Sequence, residues 1–192
     1  MGTQTETAVF GGGCFWCTEA VFKMLKGVVS VTPGYAGGSK DSLQAVPTYE
    51  AVCGGKTGHA EVIRIEFDPS LISYHDLLTV FFATHDPTAL NRQGNDIGTQ
   101  YRSIVLSTSD WQKDEAERLI KEIDGSHTEG EKVVTEVKPL GSSPAGGFYP
   151  AEDYHRDYYV RNKTASYCEL IINPKLAKVQ KQFSTLLKTQ EE

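Results

Sequence analysis

Ala8-Val9-Phe10-Gly11-Gly12-Gly13-Cys14-Phe15-Trp16-Cys17 is the stretch where the pattern of this chain turns from strand to helix. The short apolar run reads as a strand. Three glycines let the backbone turn sharply. Beyond them Cys17, Ala20, Val21, Met24 and Leu25 fall at i, i+3, i+4, i+7 and i+8, which predicts a helix from about Cys14 to Lys26, ended by Gly27. Cys14 therefore stands at the first turn of a helix, where unpaired amide groups and the positive end of the dipole favour a thiolate over a thiol. That makes Cys14 a candidate nucleophile, and Phe15 and Trp16 set an aromatic wall beside it.

Working outward, Val28-Val29-Ser30-Val31-Thr32 reads as a strand, followed by a Pro-Gly turn and the glycine-rich Gly34-Tyr35-Ala36-Gly37-Gly38. Ser39 to Pro47 has no periodicity and reads as loop. His59 to Phe67 is the strongest strand signal, closed by Asp68-Pro69; its alternation puts Glu61 on the same face as Ile63, Ile65 and Phe67. Ser73 and Asp76 form a capping-box start for a helix from Tyr74 to about Thr84, stopped by His85-Asp86-Pro87. A polar loop over Asn91 to Gln100 precedes a strand from Tyr101 to Leu106. Ser109 caps a helix to about Asp124, and Lys132 to Lys138 is a further strand. Regularity fades after Pro139, with a helix expected over Ala151 to Arg161 and a last one from Asn173-Pro174 to about Leu187.

Setting aside the helix after Ser109, the order is strand, helix, strand, strand, helix, strand, the split β-α-β arrangement of ferredoxin-like folds. The expected fold is an α+β two-layer sandwich with a mixed sheet and a coil-rich C-terminal tail. With 192 residues, 39% of them hydrophobic, one domain is expected, its core over about 7–163 and its tail over about 164–192. The net charge of −6 argues against nucleic-acid or anionic-membrane partners, which want a basic patch. The N-terminus lacks a charged-then-apolar signal pattern and no apolar span reaches membrane length, so a cytoplasmic protein is expected.

The four cysteines do not look like the framework of a small secreted domain. Cys14 and Cys17 fit a redox pair, a metal half-site or packing; no second ligand pair recurs, so no metal site is expected. Cys17 lies on the apolar stripe of its helix, where packing and redox roles both remain open. Cys168, in Ala165-Ser166-Tyr167-Cys168, is a mobile thiol or an idle one. Cys53 reads as structural. Glu61 is either a general acid, its pKa raised by burial, or a strand-end carboxylate that reaches solvent, Arg92 or Arg102. Tyr35, Tyr49 and Tyr101 border loops as hydrogen-bonded scaffold, and Asp96 reads by itself as a turn residue. The histidines form no dyad with Cys14, leaving a Cys-His hydrolase unsupported.

Gly13-Cys14-Phe15-Trp16, Gly34-Tyr35-Ala36-Gly37-Gly38, Pro47-Thr48-Tyr49-Glu50, Gly58-His59-Ala60-Glu61, His85-Asp86-Pro87, Arg92-Gln93-Gly94-Asn95-Asp96 and Gly98-Thr99-Gln100-Tyr101-Arg102-Ser103 follow one another in order. By these motifs the chain resembles the peptide methionine sulfoxide reductase A family, from Gly12 to about Cys168. The resemblance implies reduction of methionine-S-sulfoxide, free or in proteins, with no cofactor, as antioxidant protein repair by a monomer. It implies that Cys14 attacks the sulfoxide sulfur and becomes a sulfenic acid, and that Glu61 protonates the departing oxygen. Tyr49 and Tyr101 would hold that oxygen, Phe15 and Trp16 the S-methyl group, and Asp96 part of the polar pocket. A second thiol then forms a disulfide that a thioredoxin-type dithiol reduces. Many members have glycine in place of Cys17 and resolve through a tail cysteine, the place Cys168 resembles. Cys168 is the expected partner here, with Cys17, or a relay between the two, as the alternative. The 39–46 loop is longer than usual for the family. A thioredoxin-like disulfide oxidoreductase also has C-x-x-C after a strand, but Phe-Trp stands where Gly-Pro is usual and no cis-proline strand is evident. A non-catalytic module for oxidised methionine is the remaining alternative.

Overall fold

The computed structural model describes residues 4–38, 46–126, 131–141 and 147–189. The expected loop over 39–46 lies outside these residues except for its last position. In chain order the elements are β1 (Glu6–Gly12), α1 (Phe15–Phe22), β2 (Val28–Ala36), α2 (Tyr49–Cys53), β3 (Ala60–Phe67), α3 (Tyr74–Thr84), the small hairpin β4 (Arg92–Gln93) and β5 (Asp96–Ile97), β6 (Ser103–Ser107), α4 (Asp110–Ser126), β7 (Glu136–Pro139), β8 (Tyr149–Pro150), α5 (Tyr158–Arg161) and α6 (Asn173–Gln182). The main sheet runs β7-β6-β1-β3-β2-β8. Its four central strands are antiparallel in the ferredoxin-like order, and β7 joins β6 in parallel, which makes the sheet mixed.

The alternation of β3 separates two apolar faces. Ile63, Ile65 and Phe67 join Phe10, Phe22, Leu77 and Phe81 under the helices, while Val62 and Ala60 pack with Val9, Ile104 and Leu106 on the other face, covered by Leu140 and Phe148. Removing such buried side chains from water contributes ~1.5–3 kcal/mol each. The capping box at Ser73 is formed in both directions: the Asp76 amide donates to the Ser73 hydroxyl and the Ser73 amide to the Asp76 carboxylate.

Three expectations change. β2 continues through Pro33-Gly34-Tyr35-Ala36 instead of turning there. The Pro33 carbonyl accepts the Ala151 amide, so the missing Pro33 N–H would also have faced β8; its pairing with β3 loses nothing. Gly34 is required where Phe148 and Tyr149 cross it, because a Cβ would stand 2.4 Å from the Tyr149 carbonyl oxygen. The helix expected over Ala151 to Arg161 is broken into a 3-10 turn (Asp153–His155) and α5 by Asp157, whose φ is +54° and whose amide donates to the Glu19 carboxylate. The last helix starts earlier than Asn173: residues 166–182 are continuous, with a π turn at Cys168–Ile172. Beyond it the Lys26 amide donates to the Leu186 carbonyl and the Lys188 amide to the Met24 carbonyl.

Candidate active site

Cys14 immediately precedes α1, outside the helical region (φ −56°, ψ 124°), and its side chain makes no capping bond. The thiol is therefore free at an electropositive helix start. Two glycines make this approach possible. A side chain on Gly12 would meet the Phe81 ring at 2.9 Å, and Gly13, at φ +95°, lies where a Cβ would be 2.8 Å from Gln93.

Glu61 arrives from β3, paired with Tyr35 of β2, and its carboxylate accepts the Phe15 amide at 3.0 Å. It is 1% exposed. Arg92 donates instead to the Gly94 carbonyl, and Arg102 to Gly37, Gly58, Thr99 and Glu136. The solvent-reaching or arginine-paired alternatives for Glu61 are not what the structure holds. Burial pushes its pKa up to about 8, opposed by the Phe15 amide and reinforced by the negative charges of Asp96 and Cys17. At neutral pH this carboxyl carries a proton.

Tyr49 opens α2, a helix too short for periodicity to reveal, started by the Thr48 hydroxyl accepting the Ala51 amide. Tyr101 closes the 3-10 turn Thr99–Tyr101 before β6. Burial raises both phenols above their ordinary range, and both feel the Glu61 carboxylate. They remain hydroxyl donors beside the same acid. Cys53 lies one helical turn after Tyr49, whose hydroxyl meets its thiol.

The thiols form a second cluster. Cys14 and Cys17 act on one another's titration, and Cys17 Sγ is 3.5 Å from the Tyr167 hydroxyl. Tyr167 also donates to Asp96 at 3.0 Å. The neighbouring Cys14 thiol is the largest influence on Cys17 and, with the Lys175 ammonium and Tyr167 assisting against burial, lowers its thiol to about 7. Burial first, then the neighbouring Cys17 and, where it is ionised, Glu61 hold Cys14 well above the ordinary thiol range. The pair thus gives up one proton readily and the second with difficulty. Cys168, fully buried on the π turn, is raised first by burial and then by the Cys17 charge.

The aromatic wall is anchored from the far end of the chain. Trp16 stacks on Tyr158, centroids 3.6 Å apart, and donates its indole N–H to His155 Nδ1 at 3.0 Å. Phe15 is buried against Tyr35 and His155. A cleft of about 650 Å³ opens from Cys14 between Asp86, Gln93 and Asp96 on one side and Tyr167, Ile171 and Lys175 on the other. Sequence reading did not single out Tyr158, His155, Glu152 or Lys175, and it placed Tyr167 only as the neighbour of Cys168. All but Lys175, which α6 carries, sit in short or irregular segments with no periodic signal.

A ferredoxin-like α+β frame that pairs thiols beside a buried carboxyl defines a thiol-dependent oxidoreductase. The family model for peptide methionine sulfoxide reductase matches residues 6–187. The chain is 53% identical over 186 residues to the peptide methionine sulfoxide reductase MsrA of Saccharolobus solfataricus, covering 97% of this chain and 99% of that one. It is 56% identical over 178 residues to that of Sulfolobus acidocaldarius, covering 93% and 95%. The reduced form of Mxr1 from Saccharomyces cerevisiae superposes with a TM-score of 0.77 at 34% identity, over 86% of this chain and 90% of that one. Mxr1 in complex with Trx2 matches at TM-score 0.52 and 23% identity, over 78% and 91%, a likeness of fold. The chain belongs to the peptide methionine sulfoxide reductase family. It is an oxidoreductase that reduces methionine sulfoxide, a peptide-methionine (S)-S-oxide reductase. Among the described residues no helix is long and apolar enough to cross a membrane.

Proposed function

We propose that Cys14 attacks the sulfoxide sulfur while Glu61 delivers its proton to the oxygen, so that the substrate leaves as sulfide and Cys14 becomes a sulfenic acid. The observation that carries this reading is the Phe15 amide bound to a buried, protonated Glu61, which fixes an acid beside the residue that precedes Phe15. Cys17, as thiolate, takes the Cys14 proton and starts the attack. Tyr49 and Tyr101 donate to the sulfoxide oxygen, Phe15 and Trp16 receive the S-methyl group, and Asp96, held by Tyr167, lines the polar side.

The sulfenic acid is then resolved inside the protein. The Cys17 sulfur attacks the Cys14 sulfur, the S–S bond forms, the S–O bond breaks, and the hydroxide leaves as water with a proton from the site. Cys17 is favoured as the first partner because it is the thiol whose charge acts on both Cys14 and Cys168. Cys168 exchanges with Cys17 next and passes the disulfide outward to a thioredoxin-type dithiol; Mxr1, similar at 34% identity, has been solved with Trx2. A reducing cytoplasm would keep these thiols available between turnovers. We read the chain as one monomeric repair domain acting on free and protein-bound methionine sulfoxide. The test is a single-turnover assay with resolved S and R epimers of a dabsylated methionine sulfoxide. Sulfide from the S epimer, with thiol loss at Cys14 and then Cys17 by mass spectrometry, is expected. Wild-type yields in Cys14→Ser would overturn the reading.

A further inference from the structure

His155 is 1% exposed, yet its Nε2 has no hydrogen-bond partner. The indole N–H of Trp16 only donates, so Nδ1 of His155 must be the acceptor and the imidazole proton sits on Nε2. That N–H faces Glu152 Oε2 at 3.8 Å. The same Oε2 accepts the Tyr35 hydroxyl at 2.8 Å, and Oε1 accepts the backbone amide of Tyr49 at 2.9 Å. Burial works against the charge of Glu152, but the Tyr49 amide and the Tyr35 hydroxyl outweigh it and hold the carboxyl below its ordinary range, so it is ionised. Burial lowers His155 against the pull of Glu152 and Glu50, so the imidazole is neutral. One carboxylate thus holds the start of α2 through one oxygen, while its other oxygen faces, at 3.8 Å, the ring of His155, which accepts the Trp16 indole N–H and packs on Tyr49 with centroids 4.6 Å apart.

We infer that Glu152 is the positioning residue that sets epimer discrimination, by fixing Tyr49 and Trp16 relative to one another. This rests on the reading that Tyr49 holds the sulfoxide oxygen and Trp16 the methyl group. Oxygen and methyl are two substituents of one stereogenic sulfur. A site distinguishes the epimers only if its oxygen and methyl subsites keep a fixed relation. The two residues belong to separate elements, α2 and α1, and Glu152 with His155 is the polar link between them. Tyr35 shares the carboxylate and packs against Phe15, so Tyr35→Phe removes one hold on Glu152 while the carboxylate itself stays.

The experiment measures single-turnover rates for the S and R epimers in Glu152→Gln, Glu152→Ala, Tyr35→Phe, Trp16→Phe, Tyr49→Phe and the double variants of Glu152→Gln with the last two. Glu152→Gln keeps an acceptor for the Tyr49 amide but turns a donor or a neutral oxygen toward His155. Its rate on the S epimer should fall ~10-fold and that of Glu152→Ala ~100-fold, the scale of a misplaced group. Substrate KM should change less than the rate, and the S-to-R ratio should fall several-fold in both. The double variants should be less than multiplicative with both Trp16→Phe and Tyr49→Phe, and Tyr35→Phe, which leaves the carboxylate in place, should lower the ratio less than Glu152→Ala does. An unchanged S-to-R ratio in Glu152→Ala, or multiplicative effects with both partners, overturns the inference and leaves the reaction reading intact. If Trp16→Phe and Tyr49→Phe themselves react as wild type, both the inference and that reading fall.

Discussion

The acid side and the thiol side of the site are built on opposite principles. The acid side hangs on the sheet: Glu61 belongs to β3, paired on both edges by β1 and β2, and the Tyr49 amide is tied to Glu152. Arg102 binds three backbone carbonyls around it, those of Gly37, Gly58 and Thr99. The thiol side hangs on single side chains and a π turn, where Tyr167, Cys168 and Lys175 are carried by the last long helix. Donors aimed at a developing charge work best when they do not move. Thiols that must exchange partners need the opposite, and irregular helical turns at functional sites supply it.

Breaking the rigid side should give the largest effect. Glu61→Gln keeps the shape of the carboxyl and removes the transferable proton, and the single-turnover rate should fall ~10²–10⁴-fold. The wild-type rate should rise as pH passes about 7, where the thiol pair first ionises, and fall as pH passes about 8, where Glu61 loses its proton. In Glu61→Gln the falling limb should vanish. Stability carries the same signature. The folded pKa of Glu61 is raised from an ordinary 4.5 to about 8, so its contribution is fully present below 4.5 and is lost as pH rises through 8. Denaturant melts should therefore find Glu61→Gln gaining on wild type across that window.

The thiol side is tested next by turnover. With dithiothreitol, Cys17→Ser and Cys168→Ser should both cycle. With thioredoxin, Cys17→Ser should stop after about one sulfide per enzyme, whereas Cys168→Ser should accumulate a Cys14–Cys17 disulfide visible by mass spectrometry. Full thioredoxin turnover by Cys17→Ser would restore Cys168 as the direct partner. A smaller change is expected from Lys175→Met, which removes the cation nearest the thiol pair. The midpoint of thiolate absorbance, about 7 for Cys17, should move up by ~0.5–1 pH unit, the scale of one partly screened charge. Least of all, Ser73→Ala lies away from both sides and should cost ~1 kcal/mol of stability with no change in either pH limb.

How far the sequence was legible follows the same division. The strand of Glu61, the capped helix after Ser73 and the glycine turn before Cys14 all carry local signals, and together they imply the ferredoxin-like order that the sheet has. Glu61 was conspicuous because alternation put a carboxylate on an apolar face. β2 was cut short because Pro33 and Gly34 look like a turn, and only the neighbouring β8 explains why they continue a strand. Glu152, His155 and Tyr158 reach the site through segments of four residues or fewer, where neither a period of two nor one of 3.6 has room to appear. The resemblance supplied roles for Tyr49, Tyr101 and Asp96, whose own neighbourhoods pointed only to turns and scaffold.

The far end of the chain bears on how the relay thiol can travel. Past α6 the backbone is stitched to the segment after α1 by the Lys26 and Lys188 amides. The C-terminal arm is thus a strap buckled at its outer end. A tethered strap does not swing as a loose tail would, so the proposed relay through Cys168 would require the turns nearest to it to unwind while α6 stays on the core through Leu176 and Val179. In that proposal the slack is set by residues 162–172 between α5 and α6, not by the residues beyond α6.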